Sequence, residues 1–83
     1  IAGQTDYILA RMGEVLGAAG CTYADVVMTT DYITTTDGYR ETGAVRKKYF
    51  KEPYPASTGV IVAALLRPGA LIEIDAVAKV PEK

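Results

Sequence analysis

Histidine and tryptophan are absent from this 83-residue chain, and cysteine occurs once, at Cys21. Without histidine the chain lacks the commonest metal ligand and the commonest general base at neutral pH. A Ser-His or Cys-His nucleophile pair within one chain is excluded, and a zinc or copper site is not expected. One cysteine cannot form an internal disulfide, and a free thiol fits a reducing, cytoplasmic setting. Apolar runs stay well short of the roughly 20 residues that a bilayer span needs. Net charge is only −1, so no long-range field draws the chain to nucleic acid or anionic lipid.

What is present suits one small folded domain. Apolar residues make up 49% of the chain, too many for a disordered segment. At this size only about 60–65% of the unfolded surface is buried, so the stability margin is thin. The chain opens on Ile1-Ala2-Gly3-Gln4, close to a helix and without an initiator Met. That reads as a start in the middle of something longer.

Along the chain, Ile8, Met12, Val15, Leu16 and Ala19 share one stripe of a helix over 5–19. Thr5 or Asp6 is expected to cap it, and Gly20 to supply the left-handed turn at its end. Thr22 and Asp25 have capping-box spacing. Val26 to Thr35 is dense in β-branched residues and reads as a strand. Asp37 is expected to cap a second helix reaching Tyr49, with Tyr39, Thr42, Val45, Tyr49 and Phe50 inward. Pro53 and Pro55 end it. Strands follow at 57–66 and 71–80, joined by Arg67-Pro68-Gly69, a type II turn signal that predicts a hairpin. The expected fold class is α+β, with two helices on one face of a mixed sheet. In the last strand Ile72, Ile74, Ala76, Ala78 and Val80 share one face. Leu71, Glu73, Asp75, Val77 and Lys79 share the other, a mixture that suits a subunit interface.

Glu73 and Asp75 are the leading candidates for proton transfer. Two apart in a strand, they point the same way at roughly 6.5–7 Å along it. In a partly dry interface their repulsion and lost hydration raise one pKa; on a wet edge they are merely solvated. Arg40, Arg46, Lys47, Lys48 and Lys51 surround the second helix. The plainer reading is an exposed face with positive charge near the helix C-terminus, and a nucleic-acid patch is not expected. Cys21 has no activating partner. Arg67 is either a turn residue or a ligand, and Ser57-Thr58-Gly59 offers two hydroxyls and a close backbone approach.

The segments Tyr54-Pro55-Ala56-Ser57-Thr58-Gly59-Val60 and Leu71-Ile72-Glu73-Ile74-Asp75-Ala76 resemble the RidA (YjgF) family. So do Ala18-Ala19-Gly20 and Asp25-Val26-Val27, and the likeness covers nearly the whole chain. It implies a chorismate-mutase-like fold and a homotrimer with ligand clefts between subunits. It implies that an N-terminal hairpin is missing, which leaves one sheet edge unpaired, so these 83 residues alone should be poorly soluble. It also implies hydrolysis of reactive enamines and imines such as 2-aminoacrylate to a keto acid and ammonia, with no cofactor. Family members hold the substrate carboxylate with an Arg where this chain has Ser57. Their frequent Cys is Gly59 here, an Asn of the second helix is Gly43, and a Tyr is Arg46. Glu73 is kept and is the expected catalytic residue. Ser57, Thr58, Gly59, Arg46 and Arg67 are the expected substrate contacts, with Arg46 or Arg67 supplying the charge that Ser57 cannot. The alternative is a metabolite-binding protein without chemistry. An RNA-cleaving role, also attributed to the family, is less favoured, because the chain has no histidine and no strong basic face.

Overall fold

Alternation along the strands decides how this chain layers, because successive side chains point to opposite faces of a sheet. The computed structural model describes residues 1–81. Helix α1 (Ala2–Ala18) leads through a 3-10 turn (Tyr23–Asp25) into strand β1 (Val26–Ile33). A second 3-10 turn (Tyr39–Glu41) precedes helix α2 (Thr42–Tyr49), and strands β2 (Ala56–Ile61) and β3 (Ile72–Ala78) complete the domain. The α+β architecture is as expected, with both helices on one face of a mixed three-stranded sheet.

The expected hairpin does not form. The strand order is β2-β1-β3, with β1 parallel to β2 and antiparallel to β3. A parallel pair needs a crossover, and α2 supplies it. β2 then takes one side of β1 and leaves only the other side for β3. The turn itself is real: the Ala70 amide donates to the Arg67 carbonyl at 3.1 Å, and Gly69 has φ +82°. It lies in the connection that carries the chain across β1. β2 also stops at Ile61 rather than 66; the Val62 amide gives β1 one further ladder bond, to the Ile33 carbonyl at 2.8 Å.

α1 buries a stripe rolled by one residue from the expected one. Thr5, Leu9 and Leu16 are buried, whereas Val15 is 70% exposed. Thr5 is not a cap. Its hydroxyl donates to the Ile1 carbonyl at 2.9 Å, which satisfies it inside the core and lets a polar residue join the apolar stripe. Gly20 does end the helix, with φ +79° and the Cys21 amide bonded to the Leu16 carbonyl at 2.8 Å. The Thr22–Asp25 capping box is also present. α2 begins later than Asp37, because Thr35 accepts from the Asp37 amide in a local turn and Thr42 caps back onto the Tyr39 carbonyl.

The core lies between helices and sheet, built on Leu9, Leu16, Val26, Ile33, Phe50 and Ile72. Burying each such side chain contributes about 1.5–3 kcal/mol. Ile72, Ile74, Ala76 and Ala78 face inward from β3, and Glu73, Asp75 and Val77 face outward, as the alternation implied. No helix among the described residues is long and apolar enough to cross a membrane.

Candidate functional site

Register fixes which candidates can meet. On the helix side of the sheet Thr29 pairs with Ser57, and Asp31 with Gly59. Ser57 opens onto a cavity of about 200 Å³ between the β1–β2 pair and α2, lined also by Thr29, Gly43, Arg46, Phe50 and Tyr54. Arg46 and Ser57 thus line the same cavity.

Arg46 is held from behind. Asp31, fully buried in the middle of β1, accepts through Oδ2 from an Arg46 Nη and from the Tyr39 hydroxyl. The ion pair has 18% of the arginine side chain exposed and none of the aspartate. Burial, followed by the hydrogen bond to Asp31, raises the Tyr39 phenol above its usual range. Gly59 leaves room beside the network, since a Cβ there would sit in tight contact, 3.1 Å from the Tyr39 hydroxyl. Two buried polar atoms have no partner among the described residues, Thr29 Oγ1 and Asp31 Oδ1.

Glu73 lies elsewhere. It pairs with Tyr32 on the open side of the sheet, where Thr30 pairs with both Asp75 and Thr58. Alternation therefore puts Thr58, Glu73 and Asp75 on the face opposite Ser57 and Gly59. Glu73 and Asp75 are exposed, so the drying expected to perturb them is not present within one chain. Tyr32, which the sequence reading passed over, stands among them. The neighbouring Asp75 carboxylate, then partial burial and the charge of Glu73, raise its phenol above the usual value. Arg67 falls in neither place with Ser57. It lines an open groove of about 920 Å³ at the β3 edge, together with Tyr7, Leu66 and Glu73. There Gln4 clasps the loop, donating to the Gly69 carbonyl at 3.0 Å and accepting from the Leu71 amide at 2.8 Å.

Within one chain the candidate residues fall in three places. Ser57, Gly59 and Arg46 belong to the helix side, Thr58 to the open face, and Arg67 with Glu73 to the β3 edge, with β1 between. The signal for Asp31 was its parity: it shares the inward phase with Thr29 and Ile33, where an unpaired charge is untenable. Among the described residues no group of three or more His, Cys, Asp or Glu side chains is placed to hold a metal ion.

A family profile described as endoribonuclease L-PSP matches residues 1–80. A YjgF-family protein of Mycobacterium tuberculosis superposes with a TM-score of 0.85 at 44% identity, over 93% of this chain and 65% of that one. The chain belongs to the RidA/YjgF family. RidA from an Antarctic Psychrobacter superposes with a TM-score of 0.87 at 28% identity, over 94% of this chain and 63% of its own. Among relatives of this RidA/YjgF chain, human 2-iminobutanoate/2-iminopropanoate deaminase is 40% identical over 78 residues, 94% of this chain and 56% of its own length. The chloroplastic Reactive Intermediate Deaminase A of Arabidopsis thaliana is 39% identical over 75 residues, 90% and 40% of the two chains. The chain spans about half the length of the curated relatives it matches.

Proposed function

We propose that this chain belongs to a protein that hydrolyses reactive imines and enamines, 2-imino acids and their 2-aminoacrylate-like tautomers, to keto acid and ammonia. The observation that carries the reading is 40% identity to a named 2-imino acid deaminase across 94% of the chain. The retained Glu73 agrees with it. Water is the co-reactant. Glu73 takes a proton from it, oxygen bonds to the C=N carbon, and the C=N π pair moves to nitrogen. Both water protons, the one on Glu73 and the one left on the new hydroxyl, pass to that nitrogen, and the C–N bond breaks as C=O forms, so imine plus water becomes ketone plus ammonia. Imines already hydrolyse in water, so positioning supplies much of what the barrier requires.

The divided site bears on assembly. No single copy presents both the Arg46–Ser57 cavity and Glu73 to one small ligand, because the sheet lies between them. The open face exposes Met28, Val60 and Val77 beside its polar groups, and such a surface suits burial against another copy. A homotrimer with clefts between subunits is the assembly proposed here.

The deciding experiment is ammonia release from freshly generated 2-iminobutanoate by the full-length protein and its Glu73→Gln variant. Release above the spontaneous rate, lost in the variant, is expected. No acceleration with any imino acid, alongside ligand-induced thermal stabilisation, overturns the reading in favour of a binding protein.

A further inference from the structure

A base that holds the attacking water faces the carbon of the C=N bond, so a second group is better placed to serve the nitrogen. We propose that Tyr32 is that group: its phenol gives its proton to the substrate nitrogen as the π pair arrives there, and the proton held by Glu73 then restores the phenol. The inference rests on the deaminase reading for its reaction and on strand register for its geometry.

Three observations carry it. First, Tyr32 in β1 and Glu73 in β3 are direct cross-strand partners on the open face. Antiparallel partners hold their Cβ atoms about 4.5–5.5 Å apart, so a phenol and a carboxylate from one such pair can flank a single small molecule. Tyr32 is only half-buried and Glu73 is exposed, which leaves both side chains open to a ligand above the sheet. Second, the choice of acid is narrow. The chain has no histidine. Thr30 and Thr58, the hydroxyls on the same face, are weaker acids than a phenol. Arg46 and Tyr39 are tied to Asp31 on the far side of the sheet.

Third, the surroundings keep the phenol protonated. Glu73 and Asp75 are the charged groups that face Tyr32 from β3, and β2 opposes it with Val60 and, two residues earlier, Thr58. Asp75 lies diagonal to Tyr32, within reach of an aromatic side chain. The Asp75 carboxylate, then partial burial and the charge of Glu73, hold the phenol above its usual value of 10. A donor must carry its proton, so the working form persists through neutral pH and beyond it. So weak an acid suffices, because a nitrogen receiving the π pair is a far stronger base than a phenolate.

The step balances. Water loses one proton to Glu73 and bonds through oxygen to the carbon. The π pair goes to nitrogen, which takes the Tyr32 proton. The Glu73 proton returns to the phenolate, so neither side chain is changed over the cycle. The second water proton leaves the new hydroxyl for the nitrogen as ammonia departs.

The test follows ammonia release from freshly generated 2-iminobutanoate against pH, using the full-length protein. Tyr32→Phe keeps the ring and removes the proton; it should lower kcat by about a hundredfold with KM nearly unchanged, the loss expected of a missing general acid. Replacing Tyr32 by a ring-fluorinated tyrosine, a more acidic phenol of nearly the same shape, should bring the alkaline fall in kcat to lower pH. A merely structural Tyr32 would leave that limb where it is. The fluorinated protein also decides the matter if Tyr32→Phe fails to fold. Equal kcat in the wild type and a folded Tyr32→Phe protein overturns the donor and leaves the deaminase, as does an alkaline limb that ignores fluorination. Absence of release from the wild type removes the deaminase and the donor together, and the wild-type trace alone tells that result from the others.

Discussion

The two faces of the sheet are built from the same strands and behave as different solvents. On the helix side, Ile33, Ile72 and Ile74 pack against α1 and α2, and the one charge, Asp31, is enclosed with two donors. On the open side, Thr30, Tyr32, Glu73 and Asp75 sit among Met28, Val60 and Val77 with no layer over them. The helix face is finished within one chain and carries its stability. The open face holds the carboxylates of the proposed chemistry, and the proposed assembly would dry it. On that proposal, stability and reactivity are separated by the thickness of one sheet.

Substitutions can break that contrast. The largest effect is expected from Arg46→Met alone, which strands a fully buried carboxylate and should cost about 3–5 kcal/mol of unfolding free energy in denaturant titration. Leu9→Ala empties the centre of the helix-side core and should cost about 2–5 kcal/mol by the same measurement. On the open face, Val77→Ala should change stability by less than about 0.5 kcal/mol. Val77→Asp should instead lower the mass of the assembly in light scattering, if that face is the subunit contact. An unchanged mass would remove the open face from the interface.

A subtler probe lies where α1 meets α2. The Asp6 carboxylate accepts from the Tyr49 hydroxyl and from Lys48. Tyr49, first of these causes, and Lys48 hold Asp6 below its usual carboxylate value, while the Tyr49 phenol is pushed up to about 12, mainly by its bond to Asp6. The raised phenol favours the folded state below the unfolded value near 10, and this contribution is lost as pH climbs from 10 to about 12. The lowered carboxylate contributes above the unfolded value of 3.8 and is lost as pH falls below it. Tyr49→Phe should flatten both slopes in melting temperature against pH. The alkaline slope should persist in part, because Tyr23, Tyr32 and Tyr39 are raised as well. The smallest effect is expected at Gly59→Ala, where a methyl 3.1 Å from the Tyr39 hydroxyl asks for a shift of a few tenths of an ångström.

Much of this fold could be read from residue pattern. The helices, the three strands and the inward phase of β3 follow from periodicity, because burial enforces it locally. Strand partners do not. Arg67-Pro68-Gly69 signals a turn correctly, yet no local feature says whether the strands beside it pair with each other or with a third. Thr5 has the chemistry of a cap, yet it lies buried inside α1, with its hydroxyl satisfied by the Ile1 carbonyl one turn earlier. The site was legible as a set of residues and illegible as a place. Arg46 was a candidate, but the acid that orients it stands fifteen residues earlier, and only the crossover brings them together.

The buried pair also links two positions in descent. Asp31 belongs to the central strand and Arg46 to the crossover helix, and neither is tolerable without the other in so dry a place. A lineage passing from this arrangement to an apolar one must change both, through an intermediate that folds poorly. Among relatives, an acid at position 31 and an arginine at position 46 should therefore be inherited or lost together, with small residues at position 59 travelling alongside them.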